Sequence, residues 1–129
     1  MRFSDTTIRA LLHLAAGIGL FGVLAPLPQA LDTPLAGVIG DLGHVLLFFV
    51  VHRSVYDVVG RRADRPSLAA SLVALALAAA SEYAQRLTGR DPGLDDLLRD
   101  VLGVALSVIG LRSSRRSVVV RTCYGLLIA

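Results

Sequence analysis

The sequence has no lysine, no tryptophan and a single cysteine, Cys123. One thiol cannot form an intrachain disulfide, and it cannot assemble a zinc ribbon, which needs several Cys or His ligands at fixed spacing. Aromatic residues make up only 5% of the chain, so the side chains that stack on single-stranded nucleic acid are largely missing. The net charge of +3 therefore does not indicate a nucleic-acid partner.

Charged residues are also scarce. They account for 18% of the 129 residues, whereas 54% belong to the hydrophobic set and the mean hydropathy is +0.66. A soluble domain has about 25% charged and roughly 45–50% apolar residues. The composition therefore excludes intrinsic disorder and favours a membrane protein.

Four apolar stretches organise the chain, and each is close to the roughly 17–25 residues that a transmembrane helix requires. They predict an all-α, polytopic membrane protein, a bundle of four transmembrane helices that forms a single domain over residues 1–129. The predicted helices cover residues 8–27, 41–59, 67–87 and 94–111, and segments rich in proline, glycine and charge separate them. Residues 112–129 are predicted to be a basic cytoplasmic tail, because their apolar runs are too short to span a bilayer.

The first stretch has an alternative interpretation as a cleaved signal peptide, since Arg2 and Arg9 precede an apolar centre. That centre, residues 10–27, is longer than the ~7–15 residues of a usual signal-peptide core. We therefore expect it to be a membrane-spanning helix.

Arginine placement predicts the orientation of the bundle. Cytoplasmic segments of bacterial membrane proteins carry an excess of positive residues. With a cytoplasmic N terminus, only Arg86, Arg90 and Arg99 lie on the outer side. The inner side then carries the other arginines: Arg2, Arg9, Arg53, Arg61, Arg62, Arg65, Arg112, Arg115, Arg116 and Arg121. The prediction is a bundle with both ends in the cytoplasm (N-in/C-in).

This orientation brings the unusual polar residues to one level near the outer end of the bundle. Pairs of them lie at the start of the second helix, the end of the third and the start of the fourth, and an arginine lies in the loop between the third and fourth. We call this set the polar ring; it consists of Asp41, His44, Glu82, Gln85, Arg90, Asp96 and Asp100. Ionisable groups at membrane depth are costly unless they are partnered, so they indicate a functional site.

Small residues predict how these helices pack. A single face of the fourth helix carries Asp96, Asp100, Gly103, Ser107 and Gly110, and a face of the third carries Ala70, Ala74 and Ala78. Small side chains let helix backbones approach closely in membranes. We therefore expect both faces to point into the bundle. His13 is predicted to hydrogen-bond between helices, and His52 to reach lipid headgroups at the inner surface.

The polar ring resembles the VanZ-like family of small polytopic membrane proteins over about residues 41–110. The resemblance is carried by Glu82-x2-Gln85-x4-Arg90-x5-Asp96-x3-Asp100-x2-Gly103, preceded by Asp41-x2-His44. This chain departs from the family pattern by having Asp100 in place of the usual Asn, Leu42 where Lys is frequent, and Phe48 where Tyr is frequent.

The family's name comes from a member associated with resistance to the lipoglycopeptide antibiotic teicoplanin. The resemblance therefore implies a multi-pass protein of the bacterial cytoplasmic (inner) membrane with a cell-envelope role. Its expected partners are membrane lipids and a lipid-linked cell-wall precursor or a lipoglycopeptide, which it would bind or shield. It implies no settled enzymatic activity.

The residues themselves leave several roles for the polar ring open. It would serve as an acid/base pair, as a divalent cation site, or as an anion clamp built on Arg90. It would equally serve as structural ion pairs, with Glu82 on Arg86 or Arg90 and Asp96 on Arg99 or Arg90. The matching functional alternatives are an intramembrane enzyme acting on a phosphorylated polyprenyl or phospholipid, and a small scaffold or subunit. No resident cofactor is expected, although a divalent cation is compatible with the carboxylates.

Overall fold

The computed structural model describes residues 4–24, 34–59, 63–87 and 93–127. Within these ranges all regular structure is helical, and four helices follow one another along the chain. They are α1 (Asp5–Leu24), α2 (Pro34–Val59), α3 (Pro66–Leu87) and α4 (Leu94–Leu127). The prediction of an all-α protein with four helices is confirmed.

The helices begin at residues that suit the first turn. Ser4 caps α1, its Oγ accepting a hydrogen bond from the backbone nitrogen of Thr7 at 3.2 Å. Pro34 and Pro66 begin α2 and α3, where the fixed φ of proline fits a helix and its missing N–H costs nothing. Asp95, like its neighbour Asp96, lies in the first turn of α4, where negative charge complements the helix dipole.

Two helix bounds differ from the predicted ones. The second helix begins at Pro34 rather than near residue 41, so it gains about two turns before Asp41. The fourth continues to Leu127 rather than ending near Leu111. Hydropathy changes near residues 41 and 111, but a change in polarity alone does not end a helix. Between Leu111 and Gly125 the sequence has neither proline nor glycine, the residues that most often terminate one.

Helix α2 lies at the centre of the packing, because the three most extensive contacts between helices are those it makes with α4, α3 and α1. Its Phe48 and Val51 are fully buried against Ala74 and Ala78 of α3. The predicted alanine face of α3 is confirmed, since Ala70 is also fully buried. Alanine has little side chain to separate two helices, so α2 and α3 approach closely.

Gly103 brings α4 against α2. A Cβ placed on this glycine would lie 2.3 Å from the carbonyl oxygen of Val45 and 3.0 Å from the backbone nitrogen of Phe49. The two backbones are therefore in direct contact at this point. The predicted packing face of α4 is confirmed for Asp100, Gly103 and Ser107, which are buried. At the two ends of that face the structure differs, because Asp96 is only partly buried and Gly110 is exposed.

Two helical segments, Gly37–Val59 and Pro66–Leu87, are long and apolar enough to cross a membrane, each with a hydropathy of 1.5. Only 28% of each span is buried inside the protein, whereas the core helix of a soluble protein is mostly buried. The outward faces of all four helices carry large apolar side chains, among them Ile18, Phe21, Leu46, Leu72, Leu98 and Ile109. Exposed apolar surface on this scale is typical of a protein in contact with lipid or a partner.

Candidate functional site

A buried histidine–aspartate pair joins α2 to α4. Nδ1 of His44 lies 2.9 Å from Oδ1 of Asp100, and the two side chains are 10% and 0% exposed. The ring nitrogen donates and the carboxylate accepts, which makes the contact a charge-assisted hydrogen bond. His44 lies on α2, the helix whose backbone contacts α4 at Gly103.

Glu82 adds a third ionisable group from α3. His44, Glu82 and Asp100 each offer one ligand-type atom, and the three atoms lie within 4.8 Å of one another. Both carboxylate oxygens of Glu82 are shielded from solvent. We call these three residues the buried triad; each comes from a different helix, so only the packed bundle brings them together.

One oxygen of the buried triad has no hydrogen bond. Oδ2 of Asp100 is shielded from solvent and contacts no donor among the described residues, whereas Oδ1 is bonded to His44. A buried carboxylate oxygen without a donor or a cation is costly in a low-dielectric interior. The oxygen therefore marks a position that favours a donor or a cation.

The remaining members of the polar ring are arranged differently. Asp41 and Asp96 are partly exposed and share Arg99, whose Nη2 is 3.2 Å from the Asp41 carboxylate and whose Nη1 is 2.6 Å from that of Asp96. Gln85 is buried, at 1% exposed. Arg90 lies outside the described residues, so its predicted place in the ring is not described. Within the rest of the ring, the structure separates the buried triad from a surface ion-pair network centred on Arg99.

Arg99 was predicted only as an alternative partner of Asp96, and that pairing is confirmed. Its second contact, with Asp41 of α2, was not predicted, because it depends on how α2 and α4 are packed.

A cavity of about 320 Å³ lies between the end of α3 and the start of α4. Its lining combines one carboxylate and one arginine with apolar surface, and consists of Glu82, Tyr83, Arg86, Gly93, Leu94 and Leu97. Glu82 belongs both to this cavity and to the buried triad. The sequence predicts Arg86 on the outer side and as an ion-pair partner for Glu82, but not as part of a cavity; the signal for its place here is its position one helical turn after Glu82.

The other two histidines also hold α2 to its neighbours. His52 is fully buried; its Nδ1 lies 2.7 Å from Ser107 Oγ of α4 and its Nε2 3.2 Å from Ser71 Oγ of α3. The prediction that His52 reaches lipid headgroups is wrong, because serines on two neighbouring helices provide hydrogen-bond partners inside the bundle. His13 hydrogen-bonds Ser54 across α1 and α2, as predicted.

Comparison with family models, with curated proteins and with solved structures gave no match. The resemblance to the VanZ-like family therefore stays a prediction carried by the residues of the polar ring.

Proposed function

We propose that this chain is a multi-pass protein of the bacterial cytoplasmic membrane, with four transmembrane helices and both ends in the cytoplasm. The exposed apolar faces of all four helices support this proposal, since hydrocarbon is the solvent that such surfaces favour. The arginine distribution supports the orientation. The loops that follow α1 and α3 then face outward, and the buried triad lies beneath the outer surface.

Cysteine labelling tests this topology. Cys123 is the only native cysteine, so Cys123→Ser gives a cysteine-free background in one step. Single cysteines replace Asp32, Asp91 or Ser114 in that background. We expect an impermeant maleimide to label positions 32 and 91 in intact cells, and position 114 only after lysis. Labelling of position 114 in intact cells, or failure to label position 91, would contradict the orientation.

We further propose that the protein has a non-enzymatic envelope role of the VanZ-like type, in which it binds or shields a lipid-linked cell-wall component or a lipoglycopeptide. The observation that carries this proposal is the cavity between α3 and α4. An arginine beside apolar side chains, Leu94 and Leu97, is a lining that suits an anionic headgroup attached to a lipid chain. In this proposal Arg90 and Arg86 contact the headgroup, and the carboxylates and His44 orient it.

Antibiotic susceptibility tests the envelope role. Expression in a sensitive host should shift susceptibility to teicoplanin, and Arg90→Ala or Arg86→Ala should abolish the shift at unchanged membrane abundance. Arg112→Ala, an exposed arginine on the inner half of α4, is the matched control and should keep the shift. A loss of abundance in the Arg90 variant would instead indicate a structural role, and no shift for the wild type would contradict the antibiotic arm of the proposal.

A second candidate function is an intramembrane enzyme acting on a phosphorylated polyprenyl or a phospholipid. The observation that favours it is the contact between His44 and Asp100, with Glu82 close by, because a histidine oriented by a carboxylate is a common general base. Incubation of the purified protein with a polyprenyl diphosphate should then release phosphate, and Asp100→Asn should stop the release. An Asp100→Asn variant that keeps wild-type turnover would exclude this function.

A further inference from the structure

We propose that the buried triad, His44, Glu82 and Asp100, is a binding site for one divalent transition-metal ion. This inference is independent of the envelope role, since it concerns what the three side chains bind whatever the protein does.

The distances within the triad suit a shared ion. Ligand atoms bind Zn²⁺ at about 2.0–2.2 Å, so any two ligands of one ion lie no more than about 4.4 Å apart. The three ligand-type atoms of the triad lie within 4.8 Å of one another. At the upper end of that range the atoms have to approach each other before one ion can contact all three, and side-chain rotation is the movement that we propose for this.

Asp100 provides the independent sign of a ligand. Its side chain is fully buried, Oδ1 is occupied by His44, and Oδ2 contacts no donor among the described residues. We assign Oδ2 to the ion. A ring nitrogen binds a cation only when it carries no proton, so binding would release the proton of His44 and replace its hydrogen bond to Oδ1 with bonds from both side chains to the ion. A cation at this position would supply the partner that the buried oxygen otherwise lacks, and it would offset the cost of placing a carboxylate inside the bundle.

The donor set narrows the choice of ion. One imidazole nitrogen and two carboxylate oxygens form a mixed N/O set without thiolate, which suits Zn²⁺ and Mn²⁺ better than Cu⁺. Mg²⁺ prefers oxygen ligands and retains several waters, which a buried site between three helices does not favour. Three protein ligands also leave a coordination position for a water or for an anionic oxygen entering from the cavity that Glu82 lines.

The chain contains a second histidine–aspartate contact that makes a matched comparison. Nε2 of His13 lies 3.6 Å from Oδ2 of Asp57, but Arg9 also lies 3.6 Å from that carboxylate. The side chains of His13 and Asp57 are 37% and 23% exposed. Asp57 already has a cation beside it and access to solvent, so the same two residue types there do not favour a metal ion.

The experiment uses the full chain, purified in mild detergent, stripped with a chelator and then incubated with Zn²⁺ or Mn²⁺. After removal of free ions, elemental analysis should find about one ion per chain, and thermal unfolding should occur at a higher temperature with the ion than without it. His44→Gln, Glu82→Gln and Asp100→Asn should each lower the affinity for the ion at least tenfold. His13→Gln and Asp57→Asn should keep wild-type affinity.

Wild-type protein that retains no ion, and whose unfolding temperature neither Zn²⁺ nor Mn²⁺ raises, would overturn the proposal without any variant. Equal loss of binding in the Asp57→Asn control and in Asp100→Asn would also overturn it, since binding would then be nonspecific. Size-exclusion chromatography identifies variants that fail to fold. Where a variant fails to fold, the test of the metal site is the ion content and unfolding temperature of the wild-type protein. Neither readout involves antibiotic susceptibility. A negative result for metal binding therefore does not contradict the envelope role, and a negative susceptibility result does not contradict the metal site.

Discussion

The imidazole of His44 and the carboxylate of Asp100 meet at 2.9 Å, fully inside the helix bundle, one turn away from the point where Gly103 lets α4 touch the backbone of α2. The close approach and the polar contact depend on each other. Because Gly103 has no side chain, α4 comes near enough for Asp100 to reach His44, and the hydrogen bond in turn fixes the register of the two helices.

A double-mutant cycle should detect the coupling between His44 and Asp100. Removing one partner of a buried charged pair leaves the other uncompensated, which typically costs about 3–5 kcal/mol, whereas apolar replacement of both is much less costly. We expect His44→Leu and Asp100→Leu to lower the free energy of unfolding by less together than the sum of their single effects. Unfolding in detergent, with metal-free buffer throughout, provides the measurement. Additive effects would show that the two side chains are not coupled.

Gly103→Ala should destabilise the bundle. The new methyl group would meet backbone atoms of Val45 and Phe49, which cannot rotate away, so α4 has to shift at a cost of about 1–3 kcal/mol. Gly110→Ala is the matched control on the same helix, because nothing lies within 4 Å of its Cβ position. We expect a lower unfolding temperature for Gly103→Ala alone. Equal unfolding temperatures for the two variants would contradict the close approach of α2 and α4.

Ser107→Ala should remove one of the hydrogen bonds of His52. Ser71 gives its hydroxyl hydrogen to the carbonyl of Ser67, so it accepts from Nε2–H of His52, and Nδ1 has to accept from Ser107. The variant therefore leaves a buried Nδ1 without a donor, which should lower the free energy of unfolding by about 0.5–2 kcal/mol.

The matched control for Ser107→Ala is Ser113→Ala, since Ser113 lies on the same helix and is exposed. Chemical or thermal unfolding of both variants separates the loss of the hydrogen bond from a general effect of alanine. If the two variants unfold alike, His52 does not depend on Ser107.

With α3 spanning the membrane as proposed, Leu77→Arg should prevent its insertion. Leu77 lies at the middle of α3 and is 36% exposed, whereas Leu87 is its last residue and is 72% exposed. Arginine at the centre of a transmembrane helix costs about 2.5–3.5 kcal/mol on the insertion scale, while arginine near an end reaches the interface. Membrane fractionation after carbonate extraction should show loss of Leu77→Arg and retention of Leu87→Arg. Equal retention would mean that α3 is not in hydrocarbon.

Much of the architecture could be predicted from the sequence because it depends on local properties. Apolar stretches between proline-rich and glycine-rich segments were enough to predict four helices. Alanine at every fourth residue was enough to predict which face of α3 points into the bundle. The ends of α2 and α4 were less predictable, since hydropathy marks where lipid is favoured and not where hydrogen bonding of the helix stops. His13 was predictable as a bridge between helices, but its partner Ser54 was not.

By itself, the sequence determined that the protein is helical and apolar, and which polar side chains share a helix face, because spacing along one helix fixes those relations. Only the tertiary structure decided that His44, Glu82 and Asp100 meet, that Asp41 and Asp96 instead share Arg99 at the surface, and that His52 lies inside the bundle. These outcomes depend on the rotation and approach of separate helices. The packing of Gly103 and of the alanines of α3 sets the rotation and the approach of the helices. The periodicity within a single helix does not encode either of them.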